Sequence, residues 1–168
     1  MTIDNAFAQI VTMVTELTHI IEREISTLEM LGNIDDKNIF INAKDILKAS
    51  FKGNSFAERV LMLNAINTCA MMFEERICND PLVSRYWLQH AYEFRVKSEI
   101  VATKLLHASG DVQVPKFECS LARLRISCAY LAKLLGYRDS SLVYAQGALR
   151  LAAQESDIKL TKSIMHTH

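Results

Sequence analysis

The stretch IDNAFAQIVTMVTELTHIIEREISTL, residues 3–28, decides the fold class of this chain. Its apolar residues Ile3, Phe7, Ile10, Val14, Leu17, Ile21, Ile25 and Leu28 are separated by steps of 4, 3, 4, 3, 4, 4 and 3. At about 100° per residue, those steps keep one side of an α-helix apolar for about seven turns. A strand would need steps of two, and a membrane-crossing helix would be apolar on every side. The stretch predicts a long amphipathic helix that packs on other helices.

The same period continues along the chain. Leu31-Gly32-Asn33 ends the first helix, with Gly32 supplying the left-handed position after its last turn. Asp35 or Asp36 is expected to cap a second helix through Ile39, Ala43, Leu47 and Ser50, broken at Lys52-Gly53-Asn54. Ser55-Phe56-Ala57-Glu58 has the form of a capping box. It opens a third helix with Val60, Leu63, Ala70, Phe73 and Ile77 on its inner face. Asp80-Pro81 provides the cap and first position of a fourth, which carries Leu82, Tyr86, Trp87, Phe94, Val101 and Leu105 and stops at Ser109-Gly110. A fifth helix follows with Leu121, Leu124, Cys128, Leu131 and Leu135, stopped by Gly136. Asp139 or Ser140 is expected to cap a sixth through Leu142, Leu149 and Ala152, extending toward Ile164, with Met165-His166-Thr167-His168 frayed.

Short connections between long helices favour antiparallel neighbours. The expected fold is all-α, an antiparallel helical bundle of five to six helices. It forms a single domain over residues 1–168: a four-helix core (1–109), a linker (110–116) and a C-terminal helical pair (117–165).

Composition narrows the function classes. A chain of 168 residues that is 50% hydrophobic can bury a self-sufficient core. Five Gly and two Pro are too few for a many-stranded β architecture. Nineteen basic and nineteen acidic residues give zero net charge, without the basic excess of a protein that lives on nucleic acid or an anionic membrane. The charge is uneven, however. Residues 1–115 hold eleven Lys/Arg and fifteen Asp/Glu, a balance of −4; residues 116–168 hold eight and four, a balance of +4. This asymmetry suits either complementarity within the molecule or a basic, partner-binding C-terminal third.

No stretch approaches the roughly 20 apolar residues of a membrane-spanning helix. Met1-Thr2-Ile3-Asp4 lacks the basic-then-apolar layout of a signal peptide. Cys69, Cys78, Cys119 and Cys128 form no Cys-x-x-Cys pair and read as reduced, buried thiols. A cytoplasmic protein is expected, with no membrane partner.

Motifs that carry chemistry are sparse. Glu16-x-x-His19 has the spacing of a di-iron carboxylate half-site. His19 lies about 200° around the helix from Leu17, away from the apolar face, so a surface histidine is expected. His90-x-x-Glu93 runs in the reverse order. There is no phosphate-binding Gly-rich loop and no Gly-x-Ser-x-Gly elbow. No catalytic, metal or cofactor residue is assigned. Met62, Met71, Met72, Phe73, Tyr86 and Trp87 read as core filler.

Residues 129–151 offer a DNA-binding alternative. Ala132, Gly136 and Leu142 have the spacing of a helix-turn-helix, which would present Arg138, Ser140, Ser141, Tyr144 and Arg150 to DNA. Asp139 at the start of the reading helix opposes phosphate, so nucleic acid is the second choice.

Residues 17–50 resemble the opening of the flagellar type III export chaperones of the FlgN type. Glu24 and Leu28 on a long helix, then Lys44, Ile46 and Leu47 after a short break, carry the likeness. The resemblance implies an α-helical cytoplasmic bacterial chaperone, without nucleotide or metal, that holds export substrates through amphipathic helical segments. Unlike those polar chaperones, this chain stays hydrophobic through residue 152. The reading is therefore a non-enzymatic adaptor or chaperone that binds another protein or a second copy of itself. Leu121, Leu124, Leu131, Leu142 and Leu149 of the C-terminal pair are the expected partner-binding residues.

Overall fold

Six helices make up the described backbone: α1 (Thr2–Leu31), α2 (Ile34–Ala49), α3 (Phe56–Glu74), α4 (Pro81–Ala108), α5 (Pro115–Leu135) and α6 (Arg138–His166). They belong to a computed structural model that describes residues 2–108 and 115–166, with side chains for 5–107 and 121–154. The expected linker 110–116 falls mostly outside the described residues, and its last two positions, Pro115 and Lys116, open α5. No described helix is long and apolar enough to cross a membrane.

The first four helices form a ring in which α1 touches α2 and α4, while α3 touches α2 and α4. Side-chain pairs show that neighbours run antiparallel. Descending α1, Glu24 meets His90, Glu16 meets Lys97 and Gln9 meets Lys104 in succession along α4. On the other flank, Lys37 pairs with Glu29 and Lys44 with Glu22. The apolar stripe of α1 faces into this ring, where Ile10, Val14, Leu17 and Ile21 are fully buried. The fold class read from the sequence is the one observed.

Aromatic side chains fill one level of the ring. Phe40 of α2 stacks on Trp87 of α4 with centroids 5.3 Å apart, and tilts against Phe73 of α3 at 5.2 Å. Phe94 meets Phe73 edge-on at 5.0 Å. Such pairs add about 0.5–1.5 kcal/mol each beyond their buried area.

The hairpin α5–α6 docks on this unit through α5, which packs along α4. Leu121, Leu124, Cys128, Leu131 and Leu135 are buried, as their spacing predicts. A partly buried ionic junction accompanies them. Arg95 of α4 donates from Nε and Nη2 to Glu74 of α3, at 2.5 and 3.1 Å, and from Nη1 to Asn67 at 2.5 Å. One turn further, Arg125 of α5 pairs with Glu99 of α4 at 3.0 Å. That pair joins the acidic and basic portions of the chain, so part of the charge asymmetry is satisfied internally.

Helix ends follow local chemistry. Gly32 and Gly136 have φ of 72° and 86°, and each closes a helix with two backward bonds: Gly32 N to Glu29 O and Asn33 N to Leu28 O, Gly136 N to Lys133 O and Tyr137 N to Ala132 O. The Ser55–Glu58 capping box forms as expected. The Asp80 carboxylate accepts from Leu82 N at 3.0 Å.

The structure corrects several details. Asn33, not Asp35 or Asp36, caps α2, because its side chain reaches Asp36 N; the aspartates occupy the first turn. Helix α6 starts at Arg138, ahead of Asp139 and Ser140, and continues through Met165 and His166. Helix α3 stops at Glu74, so Ile77 packs on the core from the following turn. Leu82 sits above the core level and is 83% exposed. Cys78 is exposed rather than buried, while Cys119 lies outside the described side chains.

Candidate functional site

The five leucines expected to hold a partner separate into two groups. Leu121, Leu124 and Leu131 are in the core and unavailable to any partner, which corrects that expectation. The α5 period turns all three toward α4. Leu142 and Leu149, seven residues apart on α6, lie on its outward side at 59% and 70% exposure, with Val143 beside them at 62%.

Helix α6 turns Leu142 and Leu149 outward, and its inner side carries Ser141, Gly147 and Ala148 together with the half-buried Tyr144 and Leu151. Gly147 and Ala148 are buried against α5, and a Cβ at Gly147 would come within 3.3 Å of Arg125 Cδ. Arg125 Nη1 donates to the Gly147 carbonyl, and Ser141 Oγ donates to the Ala129 carbonyl at 2.8 Å. The Arg125 side chain fills the space that Gly147 leaves open. Among the described residues the α6 backbone packs along α5 alone, while the Ser140 and Tyr144 side chains lie near Tyr92 of α4.

The same geometry bears on the DNA-binding alternative. The bonds from Ser141 to Ala129 and from Arg125 to Gly147 place α5 and α6 side by side and antiparallel. A helix-turn-helix instead crosses its helices at roughly 90–120°. Ser141 is engaged in the seam. Tyr144 is half-buried, and burial raises the pKa of its hydroxyl. Of the five residues assigned to DNA, Arg138 and Arg150 are exposed.

A second feature lies where α1, α4 and the α5–α6 turn meet. A groove of about 660 Å³ has α4 as its floor, Glu24 of α1 on one side, and Leu135 and Tyr137 on the other. Tyr86 Oη donates to Glu24 Oε2 at 2.5 Å, and Glu24 Oε1 stands 3.7 Å from His90 Nε2. Burial raises the Tyr86 pKa, and the hydrogen bond to Glu24 adds to the effect. His90 is only 9% exposed, and its Nδ1 has no hydrogen-bond partner among the described residues. Burial lowers the His90 pKa, opposed by the Glu24 charge. The imidazole is therefore neutral in the folded protein at neutral pH.

The sign of that shift gives a test. Between an ordinary histidine pKa of about 6.5 and its own lower value, His90 binds fewer protons in the folded than in the unfolded chain. Its contribution to stability is complete above about pH 6.5 and is lost as the pH falls toward the folded-state pKa. Thermal melts should show stability declining on acidification from about pH 7 to about pH 5, with a shallower decline in His90→Gln. Equal slopes in both proteins would show that His90 is not the group responsible.

The sequence treated Glu24 as part of a likeness to export chaperones and His90-x-x-Glu93 as a reversed metal pair. In the fold, His90 and Glu93 both line the groove, one turn apart on α4. The remaining residues of the likeness serve the α1–α2 contact: Leu28 and Leu47 are buried and Lys44 pairs with Glu22 at 3.3 Å. Glu16 and His19 do not share a site. Glu16 pairs with Lys97, and His19 is 68% exposed beside Glu22. No group of three or more metal-binding side chains occurs among the described residues. Burial pushes the Cys69 and Cys128 thiols up to about 12, so neither is a thiolate at neutral pH. No protein-family model, no curated protein and no solved structure matches the chain.

Proposed function

We propose that this chain is a non-enzymatic binding protein, an adaptor or export chaperone, that holds an acidic amphipathic helix of another protein on the outer side of α6. One observation carries the reading: among the described residues the backbone of α6 packs along α5 alone, yet the helix presents Leu142, Val143 and Leu149 to solvent. Burying such side chains under a partner is worth about 1.5–3 kcal/mol each, before the cost of association. Exposed apolar surface on that scale marks an interaction site more often than a passive surface.

Charge selects the occupant. On the described part of α5 and α6, Arg123, Lys133, Arg138 and Arg150 are exposed and have no ion-pair partner among the described residues; Asp139 is the one exposed acid. A second copy docked through the same face would set cations against cations. A helix with acidic flanks meets both the leucines and the arginines. The N-terminal likeness to FlgN-type export chaperones agrees with this class of activity.

A photo-crosslinking residue in place of Leu149, followed by mass spectrometry of the adduct, tests the reading. The expected adduct is an acidic, amphipathic segment of a different protein. The double variant Leu142→Asp/Leu149→Asp should remain folded, since both positions are in solvent, and should lose the partner. An adduct only with a second copy, no adduct at all, or full partner binding by the double variant would overturn the proposal.

A further inference from the structure

We infer that the groove between α1, α4 and the α5–α6 turn is a binding site for a small organic ammonium ion. Its charge is the first argument. Glu24 and Glu93 both line it, and the one cation among the lining residues, Lys97, pairs with Glu16 at 3.4 Å. Glu93 is partly buried and makes no hydrogen bond or ion pair with any described residue. A carboxylate in a concave site with no ion-pair partner of its own recruits a cation, because lower local polarity strengthens the attraction.

The second argument is the lining. Tyr86, Tyr92 and Tyr137 surround the acids, with the Tyr92 and Tyr137 rings 5.6 Å apart and inclined at 57°. Aromatic faces next to carboxylates attract alkylammonium groups through the ring quadrupole while tolerating their methylene carbons. The third is size: the site carries the unpaired Glu93 carboxylate, and its volume of about 660 Å³ falls in the range of small-molecule pockets. A metal ion would find too few converging ligands, and an anion would meet two carboxylates. This site is separate from the outer side of α6 and does not depend on the docking proposal.

Calorimetric titration of the full chain with choline, spermidine and benzylamine tests the inference, with the neutral carbon isostere of choline as control. At least one amine should bind saturably, and more weakly as salt rises, while the isostere should not bind. Glu93→Gln and Tyr137→Ala should each weaken binding by about tenfold; Glu93→Gln should leave the thermal melt unchanged, and Tyr137→Ala should lower it by only a few degrees through loss of the Tyr92 ring contact. The single tryptophan, Trp87, packs against Tyr86 at 5.1 Å, so its fluorescence should change on binding. Failure of all three amines, equal binding of the neutral isostere, or unchanged affinity in Glu93→Gln would each overturn the inference.

Discussion

Glu74→Leu is expected to destabilise the protein by about 3–5 kcal/mol, the range for removing one partner of a buried ion pair. Arg95 is only 8% exposed, and Glu74 takes two of its three side-chain hydrogen bonds to α3. Without that carboxylate, the guanidinium keeps Asn67 but loses the charge that offsets its desolvation. Glu99 lies one turn further along α4 and is already engaged by Arg125. The double variant Glu74→Leu/Arg95→Met should recover most of the loss, because an apolar pair of similar volume carries no desolvation cost. Urea denaturation of the two single variants and the double variant gives the coupling energy directly. A loss below about 1 kcal/mol in Glu74→Leu would mean that Arg95 reaches solvent readily and that the junction is screened like a surface pair.

Phe40→Ala is expected to cost about 3–5 kcal/mol, the range for truncating a large buried aromatic. Phe40 is fully buried and touches the rings of Phe73, Tyr86, Trp87 and His90. It is the main anchor of α2, whose other buried apolar residues are the smaller Ala43 and Leu47. Either this change or Glu74→Leu should lower the melting temperature by about 10 °C, given about 2–4 °C per kcal/mol for a chain of this size. Phe40→Ala should also shift the emission of Trp87, which loses its stacking partner, whereas Glu74→Leu should not. An Ala variant within about 1 kcal/mol of the parent, with unchanged emission, would show that the aromatic level is not the centre of the core.

These two predictions rest on residues of different legibility. The burial of Phe73 and Trp87 follows from helical period, as does the core face of α5. Arg95 gave no sign of its role, because nothing local separates a buried arginine from a solvated one. Its partners lie 21 and 28 residues away in the chain. The groove was similarly hidden, since Tyr86 meets Glu24 across 62 residues.

Helix α6 shows where a hydrophobic pattern misleads. Grouping Leu142 and Leu149 with Leu121, Leu124 and Leu131 as one partner-binding set follows their shared residue type and not their placement. The set divides because α6 turns Ser141, Gly147 and Ala148 toward α5, with the Arg125 side chain filling the space beside Gly147. The α2 cap shows the same limit on a smaller scale. Asn33, Asp35 and Asp36 are all competent caps, and the tight turn after Gly32 selects Asn33.

The sequence by itself determined the six helices, the antiparallel all-α architecture, the Gly32 and Gly136 stops, the Ser55–Glu58 capping box and the inward stripe of α1. Each depends on interactions within about five residues or on a period of 3.6, so neighbouring residues contain the whole cause. Only the tertiary structure decided which side of α6 meets solvent, how Arg95 is neutralised, and that Glu24, Tyr86, His90 and Glu93 line one groove. Those outcomes depend on how closely separate helices approach and in what register, and long-range packing sets both.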